Sequence, residues 1–192
     1  AVIELKAKAV RDLFEETFIS GDSIANPKAF DGIDVACESS QTLSMGVNGG
    51  SLTLDKLDEL VDTVMGGKPE LLLMSRRSRR IINKLARTAG TLLETDRDQF
   101  GQMIQFYDGI AIGVSDYIAD DQTVGTSSDC SSIYATQFGE GALAGLSGPG
   151  GLQVERVGSL EQKDASRSRI KWYTSIALFN TLKLAKLVGV RP

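Results

Sequence analysis

The chain has 192 residues, 42% hydrophobic and 24% charged, with 21 Lys and Arg against 25 Asp and Glu for a net charge of −4. Such a chain buries roughly 70% of its unfolded surface in a core; it is too apolar for wholesale disorder and too acidic for the net-basic footprint of a dedicated nucleic-acid binder. Histidine is absent, which removes the commonest general base and metal ligand together with the Ser-His and Cys-His dyads.

In chain order, Val2 to Phe18 reads as a helix, with Val10, Leu13, Phe14, Thr17 and Phe18 at helical spacing and Ser20-Gly21-Asp22 as its stop. A loop follows from Ser23 to Asp34, then a polar Ser- and Gly-rich stretch from Glu38 to Gly50. A second helix places Leu54, Leu57, Leu60, Val61 and Val64 on one face and Asp55, Asp58, Glu59 and Asp62 on the other, with Ser51 or Thr53 as cap. Gly66-Gly67 stops it. Leu71 to Met74 is an all-apolar run that reads as a strand buried on both faces. Ser75 caps a third helix, Arg76 to Ala89, closed by Gly90.

After that helix the period changes to two. Met103 to Tyr107 and Ile110 to Val114 flank Asp108-Gly109 and predict a hairpin. Ser132 to Phe138 is a further strand, and Gly139 to Gly151 carries six glycines and reads as a flexible turn. Leu152 to Val157 and one long run from Arg169 to Phe179 are strands, and a last apolar segment covers Leu182 to Val190. No stretch reaches the roughly 20 apolar residues of a membrane-spanning helix. The chain opens at Ala1, directly in an amphipathic pattern, which reads as a processed or truncated product.

Few residues point to chemistry. Cys37 and Cys130 form no CxxC, so zinc ribbons and dithiol redox sites are out; the two could form one disulfide, but the pair reads first as two buried free thiols. Gly139-Glu140-Gly141-Ala142-Leu143-Ala144 satisfies a relaxed dinucleotide-binding pattern, but Gly145, Gly148, Pro149, Gly150 and Gly151 follow at once, where the mechanism needs a helix. Asp116, Asp120 and Asp121 lack the spacing of a calcium loop. On the third helix Arg76, Arg80, Lys84 and Arg87 share one face, flanked by Arg77 and Arg79. Three readings compete for this stripe: a solvated face, an ionic contact to another subunit, and direct nucleic-acid binding, the last against the acidic total. Catalytic, cofactor and metal residues are assigned to none, and the chain reads as an assembly protein rather than an enzyme.

The order of segments resembles the major capsid proteins of tailed bacteriophages. The resemblance rests on Phe30-Asp31-Gly32-Ile33 after a long helix, Gly66-Gly67-Lys68-Pro69, and Leu72-Leu73-Met74-Ser75 leading into an Arg-rich helix. It extends through Tyr107-Asp108-Gly109-Ile110 with Ser115-Asp116, Ser132-Ile133-Tyr134 with Phe138-Gly139, Ile170-Lys171-Trp172-Tyr173 with Ala177, Leu178 and Asn180, and Leu187 to Val190.

The resemblance implies an α+β fold with a peripheral lobe, built from a long spine helix and long antiparallel strands, and an axial α/β lobe. By that mapping residues 1–32 hold the spine helix of the peripheral lobe, 33–126 form the axial lobe, 127–179 supply peripheral strands and 180–192 return to the axial lobe. The family's N-terminal arm and extended loop are missing before the spine helix, so the chain resembles a C-terminal portion of a longer protein.

The function implied is a structural subunit of an icosahedral viral shell, self-assembling into pentamers and hexamers around double-stranded DNA. It would be assembled in the host cytoplasm and located in the virion. The partners implied are other copies of the chain, with scaffolding and portal proteins, and with packaged DNA only by non-specific proximity; no membrane and no cofactor are expected. Arg76, Arg77, Arg79, Arg80, Lys84 and Arg87, facing Asp55, Asp58, Glu59 and Asp62 of a neighbour, are the candidate subunit interface. The alternatives are an encapsulin-type compartment shell, which shares the fold and carries protein cargo, and a nucleotide-binding α/β enzyme using Gly139 to Ala144.

Overall fold

Two apolar layers, one on each face of a nine-stranded sheet, organise the chain. The computed structural model describes residues 2–90, 93–97, 101–160 and 163–192. The first half holds α1 (Val2–Ser20), α2 (Ile33–Ala36), β1 (Thr42–Ser44), β2 (Gly50–Ser51), α3 (Leu54–Thr63), β3 (Leu71–Met74) and α4 (Arg76–Thr88). Then come β4 (Glu94–Arg97), β5 (Met103–Tyr107), β6 (Ile110–Val114), β7 (Gln122–Val124) and β8 (Ser127–Thr136). The last strands are β9 (Leu143–Ser147), β10 (Gln153–Leu160), β11 (Lys163–Lys171), β12 (Thr174–Leu178) and β13 (Leu184–Arg191).

The large sheet runs β1-β13-β8-β3-β6-β5-β4, with β2 added to β13 and β7 to β8. Strand alternation sorts its side chains. Leu72 and Met74 of β3, Ile133 and Ala135 of β8, and Ala185 and Leu187 of β13 point to one face, where they meet Leu57, Leu60 and Val61 of α3 and Ile82 of α4. Tyr134 and Leu184 point to the other face, with Ile19 at the end of α1 and Ile33 of α2. Val190 would fall on the wrong side by parity. A register shift between Leu187 and Val190, with Gly189 at φ 82°, returns it to the α3 side.

The helices expected at the start, after Thr53 and after Ser75 are all present, as are β3 and the hairpin. The hairpin turns through Asp108 (φ 48°) and Gly109 (φ 76°), as a two-residue turn of its hand requires. Two expectations are corrected. The glycine-rich run contains β9, which pairs antiparallel with β12, so it is not a flexible turn throughout. The run from Arg169 to Phe179 is not one strand: Trp172 and Tyr173 separate β11, which pairs with β10, from β12. The stretch from Glu38 to Gly50 contributes β1, parallel to β13. Ser127–Thr136 is a central strand between β13 and β3, and its residues 130–136 are buried.

Away from this sheet, Phe14 of α1 packs its ring 4.8 Å from that of Trp172 and 5.7 Å from that of Phe30. This contact ties α1 to the break between β11 and β12. Among the described residues no helix is long and apolar enough to cross a membrane.

Candidate subunit-contact surface

Both charged helices are built by the same local logic. The Thr53 hydroxyl accepts from the Lys56 amide at 3.3 Å and opens α3. The Ser75 hydroxyl accepts from the Ser78 amide at 3.2 Å and opens α4. Of the two caps considered for α3, the structure uses Thr53. Leu57, Leu60 and Val61 fix the buried side of α3, and Ser78, Ile82 and Ala86 that of α4. Both helices pack on the same face of the large sheet, so their charged faces point away from a common layer. Helix α3 lies over β13 and α4 over β6.

The structure divides the ten candidate residues into two groups. Five have partners within the chain. Asp58 accepts from the Tyr107 hydroxyl at 2.6 Å, and Glu59 pairs with Lys56. Arg76 pairs with Asp116. Arg77 turns inward, its side chain 17% exposed, donating to the Asp129 carbonyl at 2.8 Å with its Nε 3.4 Å from Asp120. Arg87 donates to the Asn83 carbonyl of its own helix at 3.0 Å.

Five residues remain without such ties. Arg79, Arg80 and Lys84 on α4 and Asp55 and Asp62 on α3 are exposed and have no hydrogen-bond or ion-pair partner among the described residues. No hydrogen bond or ion pair joins the two helices' charged faces within the chain among those residues. The expected acidic set Asp116, Asp120 and Asp121 is thus split, with two of its members serving α4.

A second polar cluster was not singled out in the sequence. Tyr134 donates to Asp34, which also pairs with Lys186, and the Lys186 ammonium lies 5.8 Å from the centre of the Tyr134 ring. Burial, then the hydrogen bond to Asp34, raises the Tyr134 phenol well above its ordinary range. Burial likewise raises Tyr107, reinforced by Asp58. The only signal in the sequence was one tyrosine inside an apolar strand. At the far end of β13, Arg191 donates to both carboxylate oxygens of Asp129, at 2.9 and 3.1 Å, and holds its carboxyl below the usual range. Cys130 is buried and Cys37 half-buried; both are free thiols, and burial pushes Cys37 up.

The Gly139 to Ala144 string does not have the geometry of a phosphate cradle. Gly139 and Gly141 take φ values of 124° and 91°, and the chain enters β9 at Leu143 rather than a helix. No ring of helix amides is therefore presented there.

No protein-family model matches the sequence, and no curated protein aligns with it. Solved structures do match. The holo-SrpI encapsulin complex from Synechococcus elongatus PCC 7942 superposes with a TM-score of 0.81 at 21% identity, over 98% of this chain and 64% of that one. The capsid of an empty GTA particle gives 0.65 at 14% identity, over 98% and 66%. A phage-related protein from Bordetella bronchiseptica RB50 gives 0.55 at 10%, over 97% and 63%. The chain spans just under two thirds of the length of each. It has the α+β capsid fold that tailed-phage shells and encapsulins share.

Proposed function

We propose that the chain is a structural subunit of an icosahedral shell that self-assembles into pentamers and hexamers. The observation that carries this reading is the match of 98% of the chain to shell proteins, at TM-scores of 0.81 and 0.65. The role is structural rather than enzymatic. In the leading form of the proposal the shell is a virion capsid around double-stranded DNA, assembled in the host cytoplasm with scaffolding and portal proteins as further partners. A net charge of −4 fits that use, since an acidic wall does not trap packaged DNA.

One observation favours a second reading, an encapsulin-type compartment with protein cargo: the encapsulin superposes better than the GTA capsid, 0.81 against 0.65. Light scattering with electron microscopy of the same fraction tests the shared core of both readings. Rings or closed shells support it, and a persistent monomer of the intact protein refutes it. The contents then separate the two: nuclease-protected DNA supports the virion, co-purifying protein cargo the compartment.

A further inference from the structure

We infer that the exposed faces of α3 and α4 form the two halves of one head-to-tail contact. In this contact Arg79, Arg80 and Lys84 of one copy meet Asp55 and Asp62 of the next copy around a ring. The inference rests on the shell reading above.

Three observations carry it. First, these five charges are the ones in the stripe that the chain leaves without partners among its described residues, whereas Arg76, Arg77, Arg87, Asp58 and Glu59 are engaged internally. Second, the charges are segregated by helix. The free cations all lie on α4 and the free carboxylates on α3. Third, the two helices share a layer, yet no hydrogen bond or ion pair joins their charged faces among the described residues. Each set is thereby left for a neighbour.

A copy with one positive and one negative helix face has electrostatic polarity. Stacking copies in one direction places opposite charges together at every junction, and a rotation that closes gives a ring. Like-on-like contacts, α4 against α4 or α3 against α3, are repelled. The charges would thereby set the direction and register of assembly more than its strength, since exposed ion pairs are individually weak.

The test uses two variants of the intact protein. One reverses α4 by Arg79→Glu, Arg80→Glu and Lys84→Glu, and the other reverses α3 by Asp55→Lys and Asp62→Lys. The replaced side chains are exposed, so both variants keep the wild-type circular dichroism and melting temperature. Each variant alone is expected to lose ring formation, because every junction joins like charges. Mixed in equal amounts, they are expected to assemble again, and only as alternating rings. Native mass spectrometry should then find even-numbered rings, six among them, and none of five. A single chain carrying all five reversals restores complementarity and forms both five- and six-membered rings.

Three results overturn the inference while leaving the shell reading intact: either single-helix variant forming rings as the wild type does, a mixture containing five-membered rings, or a mixture that stops at a closed pair. Failure of the wild-type protein itself to form rings or shells overturns the shell reading and this inference together.

Discussion

The Tyr107 hydroxyl donates to Asp58 across 2.6 Å and fastens the β5–β6 hairpin to α3. This bond joins two residues 49 positions apart in the chain. It also takes one carboxylate out of the acidic face. Tyr107→Phe keeps the ring in the core and removes only the bond. The expected loss is about 1 kcal/mol, read as a lower denaturant midpoint with an unchanged slope.

Tyr107 and Tyr134 both have phenols raised above their ordinary range by burial and a neighbouring carboxylate. A raised folded-state value means that the fold holds the proton after the unfolded chain has released it. Their contribution is therefore full below about pH 10, the ordinary phenol value, and is lost as pH rises above it. Denaturation midpoints measured from pH 8 upward should decline above about pH 10, and Tyr107→Phe together with Tyr134→Phe should flatten that decline. An unchanged slope in the double variant would count against the assignment.

Asp34 serves Tyr134 and Lys186 at once. The Lys186 side chain is only 16% exposed, so it has little water to replace a lost carboxylate. Asp34→Ala is expected to cost about 1–3 kcal/mol. Adding Lys186→Met should recover part of that loss, because the stranded charge is removed along with its partner. A double-mutant cycle by chemical denaturation measures the coupling.

Gly49 and Gly90 have nearly the same backbone, φ 71° and 72°. An alanine Cβ at Gly49 would lie 2.7 Å from the Gly189 carbonyl oxygen and 2.8 Å from the Cys130 sulfur, whereas at Gly90 it would meet nothing within 4 Å. Gly90→Ala should cost only the left-handed penalty, about 1–2 kcal/mol. Gly49→Ala should cost that plus about 1–3 kcal/mol of overpacking. Equal melting temperatures for the two variants would contradict the close approach of the β13 bulge to the segment before β2.

Arg191 lowers the Asp129 carboxyl through two hydrogen bonds. Arg191→Met is expected to return the Asp129 titration toward the ordinary value of about 3.9, as followed by carboxyl carbon NMR. The stability that this pair contributes is present above the unfolded value and lost as pH falls through the folded one.

Sequence alone determined the elements whose signals are local. Helices α3 and α4 follow from hydroxyl caps and apolar stripes, β3 from four consecutive apolar residues, and the hairpin from Asp108-Gly109. The candidate site was visible to the same depth: a basic and an acidic face can be read from helical spacing. Tertiary structure alone decided what depends on distant partners. Strand β9 is hidden in a glycine-rich run because its pairing with β12 comes from residues about thirty positions on. The sorting of the charged stripe was equally invisible, since Arg76 and Arg77 are engaged by Asp116, Asp120 and Asp129, which the folding of β6 to β8 brings beside α4. Periodicity reports which way a side chain faces from its own helix; only the packed chain shows what stands opposite, because hydrogen bonds and ion pairs act over a few ångströms of space whatever the separation in sequence.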